Sequence, residues 1–371
     1  MENKVLVISA VNFFEGGPLS VLKDCLSSLN SLADAGNLHI IALVHDKNLF
    51  KQNGFSNVEF VEFPNSRRSY FYRLYYEYFY FKKFAKKRNV SFWFSLHDIT
   101  PNVGKVPQAV YCHNPSPFNT INYKDVYLQP TQFFFRLFYK YLYGINISRN
   151  KYVVVQQLWM KNEFEKMFGI VSEKIIVAKP EVPQLDVSVK PKDKQSRTVF
   201  FYPAFPRPFK NFEVICEAAK ILQQNKAGDF EVILTIDGTE NRYSSELVKK
   251  YGNLGHVKFV GLLSRSDVFD QYQSCDCLIF PSKLETWGLP ISEYKNYGKA
   301  MIVASLPYAV ETVGKYDKVF FFNPENSIEL SDYMYKAIKD DNNSYHHTET
   351  INYPTPYTQN WNELFTLLLA K

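Results

Sequence analysis

Short, continuous apolar runs alternate with longer stretches of helical periodicity along this chain, and the alternation occurs twice. In the first half, Val5–Ala10, Leu38–Val44, Val58–Phe63, Ser91–Ser95, Gln108–Cys112, Tyr152–Gln156 and Lys174–Ala178 have the character of buried strands. Candidate helices at Pro18–Asp34 and Tyr70–Lys87 lie between them. Runs that are apolar throughout, rather than on alternate residues, suit parallel strands covered on both faces and joined by helical crossovers. A second set follows. Its strands are expected at Thr198–Tyr202, Glu231–Ile236, Val257–Val260, Cys277–Phe280, Met301–Ala304 and Val319–Phe322, and its helices at Asn211–Gln224, Ser244–Tyr251, Arg265–Ser274 and Pro290–Tyr297. Between the sets, Lys179–Arg197 holds three prolines and five lysines or arginines with almost no apolar period, which reads as a linker.

The expected architecture is two doubly wound α/β domains, residues 1–185 and 198–345. Residues 346–371 carry a last helix near Asn360–Leu369, free in sequence terms to return to the N-terminal domain. Open sheets of this kind bind ligands beyond the carboxyl ends of their strands, so a cleft between two sets of strand ends is the expected site.

The 371 residues suffice for two cores. Five cysteines, with no CxxC pair, suit reduced thiols rather than a disulfide framework or a zinc site. The N-terminus has no basic n-region followed by a long apolar stretch, and no uncharged apolar run reaches about 18 residues. A cytoplasmic protein is therefore expected. The net charge of +6 is modest and by itself identifies no partner.

The segment with the most chemistry is Ile279-Phe-Pro-Ser-Lys-Leu-Glu285-Thr286-Trp-Gly288-Leu289-Pro290-Ile-Ser-Glu293. A buried strand ends at Phe280, a loop with glycine and proline follows, and a helix is expected from Pro290. Glu285 then sits in a strand-to-helix loop and Glu293 in the first helical turn, with the Gly288 and Leu289 N–H groups at a place suited to an anion. Taken singly, Glu293 is a helix-dipole partner and Glu285 a solvated acid. The combination is more specific. It resembles the E-x7-E signature of retaining glycosyltransferases of the GT-B fold, family 4 (glycosyl transferases group 1), and the order Val260-Gly261, helix, Cys275-Asp-Cys-Leu-Ile-Phe-Pro-Ser282 fits as well.

That resemblance implies a GT-B fold of two Rossmann-like domains and a nucleoside-diphosphate sugar as donor. It implies that Glu285, Thr286, Gly288, Leu289 and Pro290 engage the donor sugar and phosphates, and that Glu293 accepts from the ribose hydroxyls. Gly261 and Leu262 are expected near the base. In Phe201-Tyr-Pro-Ala-Phe-Pro-Arg207-Pro-Phe-Lys210-Asn211 two cations follow a strand, where a departing diphosphate needs fixed positive partners. Lys210 matches the family's lysine, while Arg207 stands further from the strand end than the family's arginine; Asn211 is expected beside them among the donor-binding residues. In the first domain Gly16 and Gly17 form a glycine loop after the first strand, expected beside the diphosphate and the acceptor. His113 ends a strand in the expected cleft, and similar enzymes have a histidine approaching the donor sugar there. Asn114, His97 and Asp98 are expected at the acceptor. No Asp-x-Asp stands at a strand end and no ligand cluster has metal spacing, so neither a cofactor nor an obligatory metal is expected.

Aromatic residues reach 17% of the chain. They crowd residues 66–88 and 132–143 together with lysines and arginines, and in the first segment Tyr70, Leu74, Phe81 and Phe84 are expected to form the core stripe. Ordinary core and surface filling is one explanation. Peripheral contact with an anionic membrane surface is another, and single-stranded nucleic acid ranks last because of the acidic loop and modest charge. The combined expectation is transfer of a hexose-type residue, with retention, to a hydroxyl of a glycan or lipid-linked glycan in polysaccharide biosynthesis, with no nucleic-acid partner. A nucleotide-sugar epimerase or a non-catalytic scaffold of the same fold are the rivals.

Overall fold

A computed structural model describes residues 4–34, 38–118, 138–181, 197–341 and 344–370. The chain divides into two compact units. Residues 4–118, 138–181 and 353–370 form unit 1, and residues 197–352 lie in unit 2.

Unit 1 is built on an eight-stranded sheet: β1 Lys4–Ala10, β2 Leu38–Val44, β3 Val58–Glu62, β4 Phe92–Ser95, β5 Gln108–Cys112, β6 Tyr152–Val155, β7 Ile175–Ala178 and β14 Tyr357–Thr358. The order is β14-β7-β6-β5-β4-β1-β2-β3, every pairing being parallel. Successive β1 residues from Leu6 to Ala10 are all buried, which is what a sheet covered on both faces requires. On one face, Leu22, Cys25, Leu26 and Leu29 of the helix Gly16–Asp34 meet Trp361, Leu364, Phe365 and Leu368 of the helix Trp361–Leu369, above Leu6, Ile8, Ile40 and Phe94. The C-terminal helix is therefore part of the core of unit 1. Asn360 caps it by accepting from the Glu363 N–H.

Unit 2 carries β8 Thr198–Tyr202, β9 Phe230–Leu234, β10 Val257–Phe259, β11 Cys277–Phe280, β12 Ala300–Ala304 and β13 Val319–Phe322, in the order β10-β9-β8-β11-β12-β13 and all parallel. Numbered within the unit this is 3-2-1-4-5-6, the dinucleotide-binding order, whose direction reverses between β8 and β11. In unit 1 the same reversal falls between β1 and β4. Chains leaving the two strands at such a point diverge to opposite faces, which opens a crevice at their carboxyl ends.

Strands β1–β13 stand within about two residues of the sequence-based positions, β14 has no sequence-based counterpart, and three further features differ. Gly16 and Gly17 are the first residues of the helix Gly16–Asp34 rather than a loop before it, and Gly16 enters the helix at φ of 65°, a left-handed conformation that glycine adopts without strain. Glu293 is the fifth residue of the helix Leu289–Lys295 and so lies beyond its first turn, facing inward. The segment Tyr70–Lys87 is not one regular helix. Helical turns Tyr70–Tyr75 and Phe81–Lys87 flank a π-helical turn, Tyr76–Tyr80, in which the Phe81 N–H donates to the Tyr76 carbonyl. The wide turn takes up an extra residue and moves the buried stripe to Arg73, Glu77, Phe81 and Ala85, leaving Tyr70 exposed. Of the linker, residues 182–196 lie outside the described residues, as do 132–137 of the second aromatic segment. All five cysteines are buried thiols outside any disulfide.

Candidate functional site

Arg207, Lys210 and Glu285 lie in the loops that leave the two strands at the reversal of unit 2, and Gly16, His97 and Asp98 follow the corresponding strands of unit 1. In unit 2, β8 runs into Pro203–Arg207 and a short 3-10 turn, Pro208–Lys210, while β11 runs into the loop that carries Glu285. The two loops bring Lys210 and Glu285 together, with Nζ 2.5 Å from Oε1 and both side chains mostly buried. Tyr202 fixes Lys210 from behind, its hydroxyl donating to the Lys210 carbonyl at 2.9 Å. The rings of Phe209 and Phe280 lie 5.7 and 5.9 Å from the ammonium. Arg207 stands between the Phe205 and Phe209 rings, 5.9 and 6.0 Å from their centroids.

Asn211 is a framework residue. Its backbone is left-handed, a conformation asparagine tolerates, and its amide donates to the Pro281 carbonyl at 3.2 Å and the Pro324 carbonyl at 2.8 Å. One side chain thereby ties together the loops after β8, β11 and β13. Gly288 precedes the helix Leu289–Lys295 with φ of 85°, and a Cβ there would come within 3.3 Å of Ile291 Cδ1. The loop from Glu285 to Gly288 is held by Trp287, whose indole N–H donates to Ser292 Oγ at 2.8 Å and whose carbonyl accepts from Thr312. Tyr308 donates to the Ser282 carbonyl at 2.6 Å. Thr286, Leu289 and Pro290 are half-buried on this loop and helix.

Glu293 takes partners that sequence alone does not reveal. Arg265 Nη2 donates to its Oε1 and the Tyr272 hydroxyl to its Oε2, each at 3.2 Å. Burial raises its pKa, and the Arg265 charge opposes that rise. Gly261 and Leu262 follow β10, two places from β8 in the sheet. Leu262 is exposed, and Gly261 adopts φ of 74°, a left-handed conformation that strains other side chains, with a Cβ there 3.0 Å from Asp237 Oδ2.

In unit 1 the loops after β4 and β5 are joined by Asp98. Its Oδ1 accepts from the His113 N–H at 2.8 Å, the Asn114 N–H at 3.2 Å and the Tyr143 hydroxyl at 2.8 Å, while Oδ2 accepts from the Tyr139 hydroxyl at 2.9 Å. Asp98 adopts φ of 69° to do so. Burial and the carboxylate together push Tyr139 and Tyr143 well above the usual phenol range, so both remain donors. His113 keeps some exposure, with Nδ1 3.7 Å from Asp98 Oδ1 and the Phe13 ring edge-on at 5.4 Å. Asp98 therefore orients the chain at His113 and Asn114.

His97 has no exposed surface, so from this position it touches no solute. Arg73 Nη2 lies 3.3 Å from its Nδ1, while Ser9 Oγ and Glu77 Oε1 lie 3.1 and 3.3 Å from its Nε2. Arginine only donates, so Nδ1 accepts and the ring proton sits on Nε2. Burial, reinforced by the Arg73 charge, holds His97 well below the usual imidazole range, and burial pushes Glu77 up to about 8. Arg73 and Glu77 were not singled out from sequence. The signal was present, as a cation and an acid four residues apart in an otherwise aromatic segment. Among the described residues no group of three or more His, Cys, Asp or Glu is placed to hold a metal ion.

Two parallel sheets of this order, with charged side chains at each reversal, define the class, and solved structures agree. The lipopolysaccharide outer core galactosyltransferase WaaB, in its apo form, superposes with a TM-score of 0.66 and 15% identity, covering 93% of this chain and 92% of that one. Anabaena Alr3699/HepE in complex with UDP and glucose gives 0.62 and 17%, covering 92% and 91%. The fold is GT-B. Within it, residues 184–353 match the family described as glycosyl transferases group 1. Among curated proteins, the serotype-specific mannosyltransferase WbdA of Escherichia coli is 26% identical over 141 residues, which is 37% of this chain and 17% of that protein. The O-antigen chain mannosyltransferase RfbU of Salmonella typhimurium is 22% identical over 242 residues, 64% of this chain and 66% of that one. The chain thus spans only about a sixth of WbdA and 66% of RfbU.

Proposed function

We propose that the protein is a glycosyltransferase that moves a hexose-type residue from a nucleoside-diphosphate sugar to a hydroxyl of a glycan or lipid-linked glycan, with the anomeric configuration retained. The observation that carries this reading is the Lys210–Glu285 pair at the reversal point of unit 2, within the region that matches the glycosyl transferase family.

The bond from the anomeric carbon to the diphosphate oxygen breaks, the electron pair leaves with the diphosphate, and the acceptor oxygen bonds the same carbon while its proton is released. Lys210 and Arg207 neutralise the charge that grows on the diphosphate, a role suited to cations already fixed in place. Glu285, Thr286 and the backbone from Gly288 to Pro290 hold the sugar and phosphates. Glu293 takes the ribose hydroxyls, and Gly261 and Leu262 lie near the base. In unit 1 we assign His113, Asn114, Gly16 and Gly17 to the reacting sugar and acceptor, with His97 and Asp98 supporting them from behind. Neither a cofactor nor an obligatory metal is part of the scheme. Lysines and arginines beside exposed rings in the segment 66–88 suit work at the inner face of a membrane. No described helix is long and apolar enough to cross one.

Thermal unfolding with a panel of nucleoside diphosphates and nucleotide sugars tests the donor assignment. At least one should raise the melting temperature, and the rise should disappear in Lys210→Ala. No shift with any nucleotide would sink the donor reading. With the donor found this way, Glu285→Gln should lower the turnover rate by about a hundredfold or more. Wild-type turnover in that variant would refute the site.

A further inference from the structure

The segment Tyr70–Lys87 shows two opposed stripes. One runs Arg73, Glu77, Phe81, Ala85 and is buried, and the other runs Phe71, Tyr75, Phe79, Lys83, Lys87 and is exposed. Phe81 and Ala85 are ordinary core contacts, packed with Val7, Trp93 and Val103. Arg73 is not ordinary. A guanidinium 8% exposed is costly inside a domain unless its donors find fixed acceptors, and those it finds are specific. Nη2 donates to the His97 carbonyl at 3.1 Å and lies 3.3 Å from His97 Nδ1.

His97 leads to the reacting end of unit 1 through bonds of known length. Its ring is closed in by Ser9 of β1 on the Nε2 side, and the residue before it is tied to the sheet, Leu96 N–H donating to the Ser9 carbonyl at 2.9 Å. The next residue is Asp98. Asp98 N–H donates to the Tyr111 carbonyl at 3.2 Å, and its carboxylate takes the N–H groups of His113 and Asn114. An arginine that grips both the ring and the carbonyl of His97 therefore fixes the peptide from which the Asp98 side chain departs.

We propose that Arg73 is a positioning residue: by clamping His97 it sets Asp98, and through Asp98 it sets the orientation of His113 and Asn114. The inference rests on the assignment of His113 to the reacting end of the site. It gives the buried charge a purpose that packing does not, because an apolar side chain of similar volume would fill the space without the desolvation cost. It also makes the seating of the aromatic segment a determinant of the site, since Arg73 belongs to that segment.

The test uses the full chain labelled in its histidine imidazoles and two variants, Arg73→Met and Arg73→Lys. In Arg73→Met the NMR signals of both His97 and His113 should move, while those of His39 and His256, on other elements, stay. Arg73→Lys should restore the His113 signal in part. Displacement of His97 with an unmoved His113 signal overturns the proposal, because the clamp would then be lost without consequence. If Arg73→Met does not fold, the same comparison in Arg73→Lys decides. Turnover, with the donor and acceptor from the nucleotide panel, is read alongside. The rate should drop at least tenfold in Arg73→Met with the donor KM within twofold, and His113→Ala should abolish that further drop. Equal losses in the presence and absence of His113 would overturn the route. Wild-type turnover in His113→Ala would instead remove the catalytic assignment, and the NMR comparison would still decide whether Arg73 positions the ring.

Discussion

At the scale of single residues, two positions carry more structure than their size suggests. Asp98 accepts four hydrogen bonds from four residues, two of them backbone N–H groups in the next loop. Asp98→Asn keeps the shape and replaces one acceptor oxygen by a donor that must face other donors. The variant should lose about 1–3 kcal/mol of stability, the cost of leaving a buried polar group unmatched, and denaturant unfolding beside wild type measures it. An unchanged midpoint would mean that the hub is dispensable. Gly288 is the second case. Its φ of 85° lies in the left-handed region, and a Cβ would press on Ile291 Cδ1. Gly288→Ala should cost about 1–2 kcal/mol for the backbone alone, and should also raise the donor KM, because the turn sets the Leu289 N–H. A variant as stable as wild type with an unaltered KM would show that the turn has slack.

At the scale of elements, the segment Tyr70–Lys87 makes the sharpest prediction. Glu77, with no exposed surface, has its pKa raised to about 8 by burial, against an ordinary 4.5, with the Arg73 charge pulling the other way. The unfolded chain gives up this proton near pH 4.5 and the folded chain keeps it until near pH 8. Between those limits the folded state binds more protons, so the contribution is complete below pH 4.5 and is lost as pH rises towards 8. The slope is at most about 1.4 kcal/mol per pH unit. Glu77→Gln removes this dependence, so its stability relative to wild type should climb from pH 5 to pH 8 in denaturant titrations. A flat difference would mean that Glu77 is ionised beside Arg73 in the folded protein. The same element shows where sequence reading stops. Strands were legible because a run such as Ile40–Val44 is apolar throughout and has few other fates. Helix phase was not legible here, because aromatic residues on every face erase the period and a π-helical turn shifts it. That Lys210 and Glu285 share one site could be anticipated because each lies in the loop that leaves its strand, β8 or β11. The partners of Glu293 could not, since Arg265 and Tyr272 come from a helix that sequence places without orienting.

At the scale of the whole molecule, the chain enters unit 1, leaves it for unit 2 and ends back in unit 1. The return is structural in unit 1, because Trp361, Leu364, Phe365 and Leu368 are nearly inaccessible and share one core with β1, β2 and the helix Gly16–Asp34. Phe365 meets Phe94 edge-on at 6.0 Å and stacks on Trp361 at 6.0 Å, while Ser28 bonds Asn362 at 2.7 Å. Among the described residues, that core cluster contains none of unit 2. Truncation at this point should therefore weaken one unit selectively. Phe365→Ala should cost about 3–5 kcal/mol, as for other large-to-small changes in a packed core. Hydrogen exchange locates the loss: amides of β1, β4 and β5 should exchange faster, and those of β8 and β11 should keep their protection. The nucleotide-dependent rise in melting temperature should persist for the transition that reports unit 2. If β8 and β11 lose protection as much as β1 does, the two units unfold as one, and the C-terminal helix stabilises unit 2 as well as the unit it packs in.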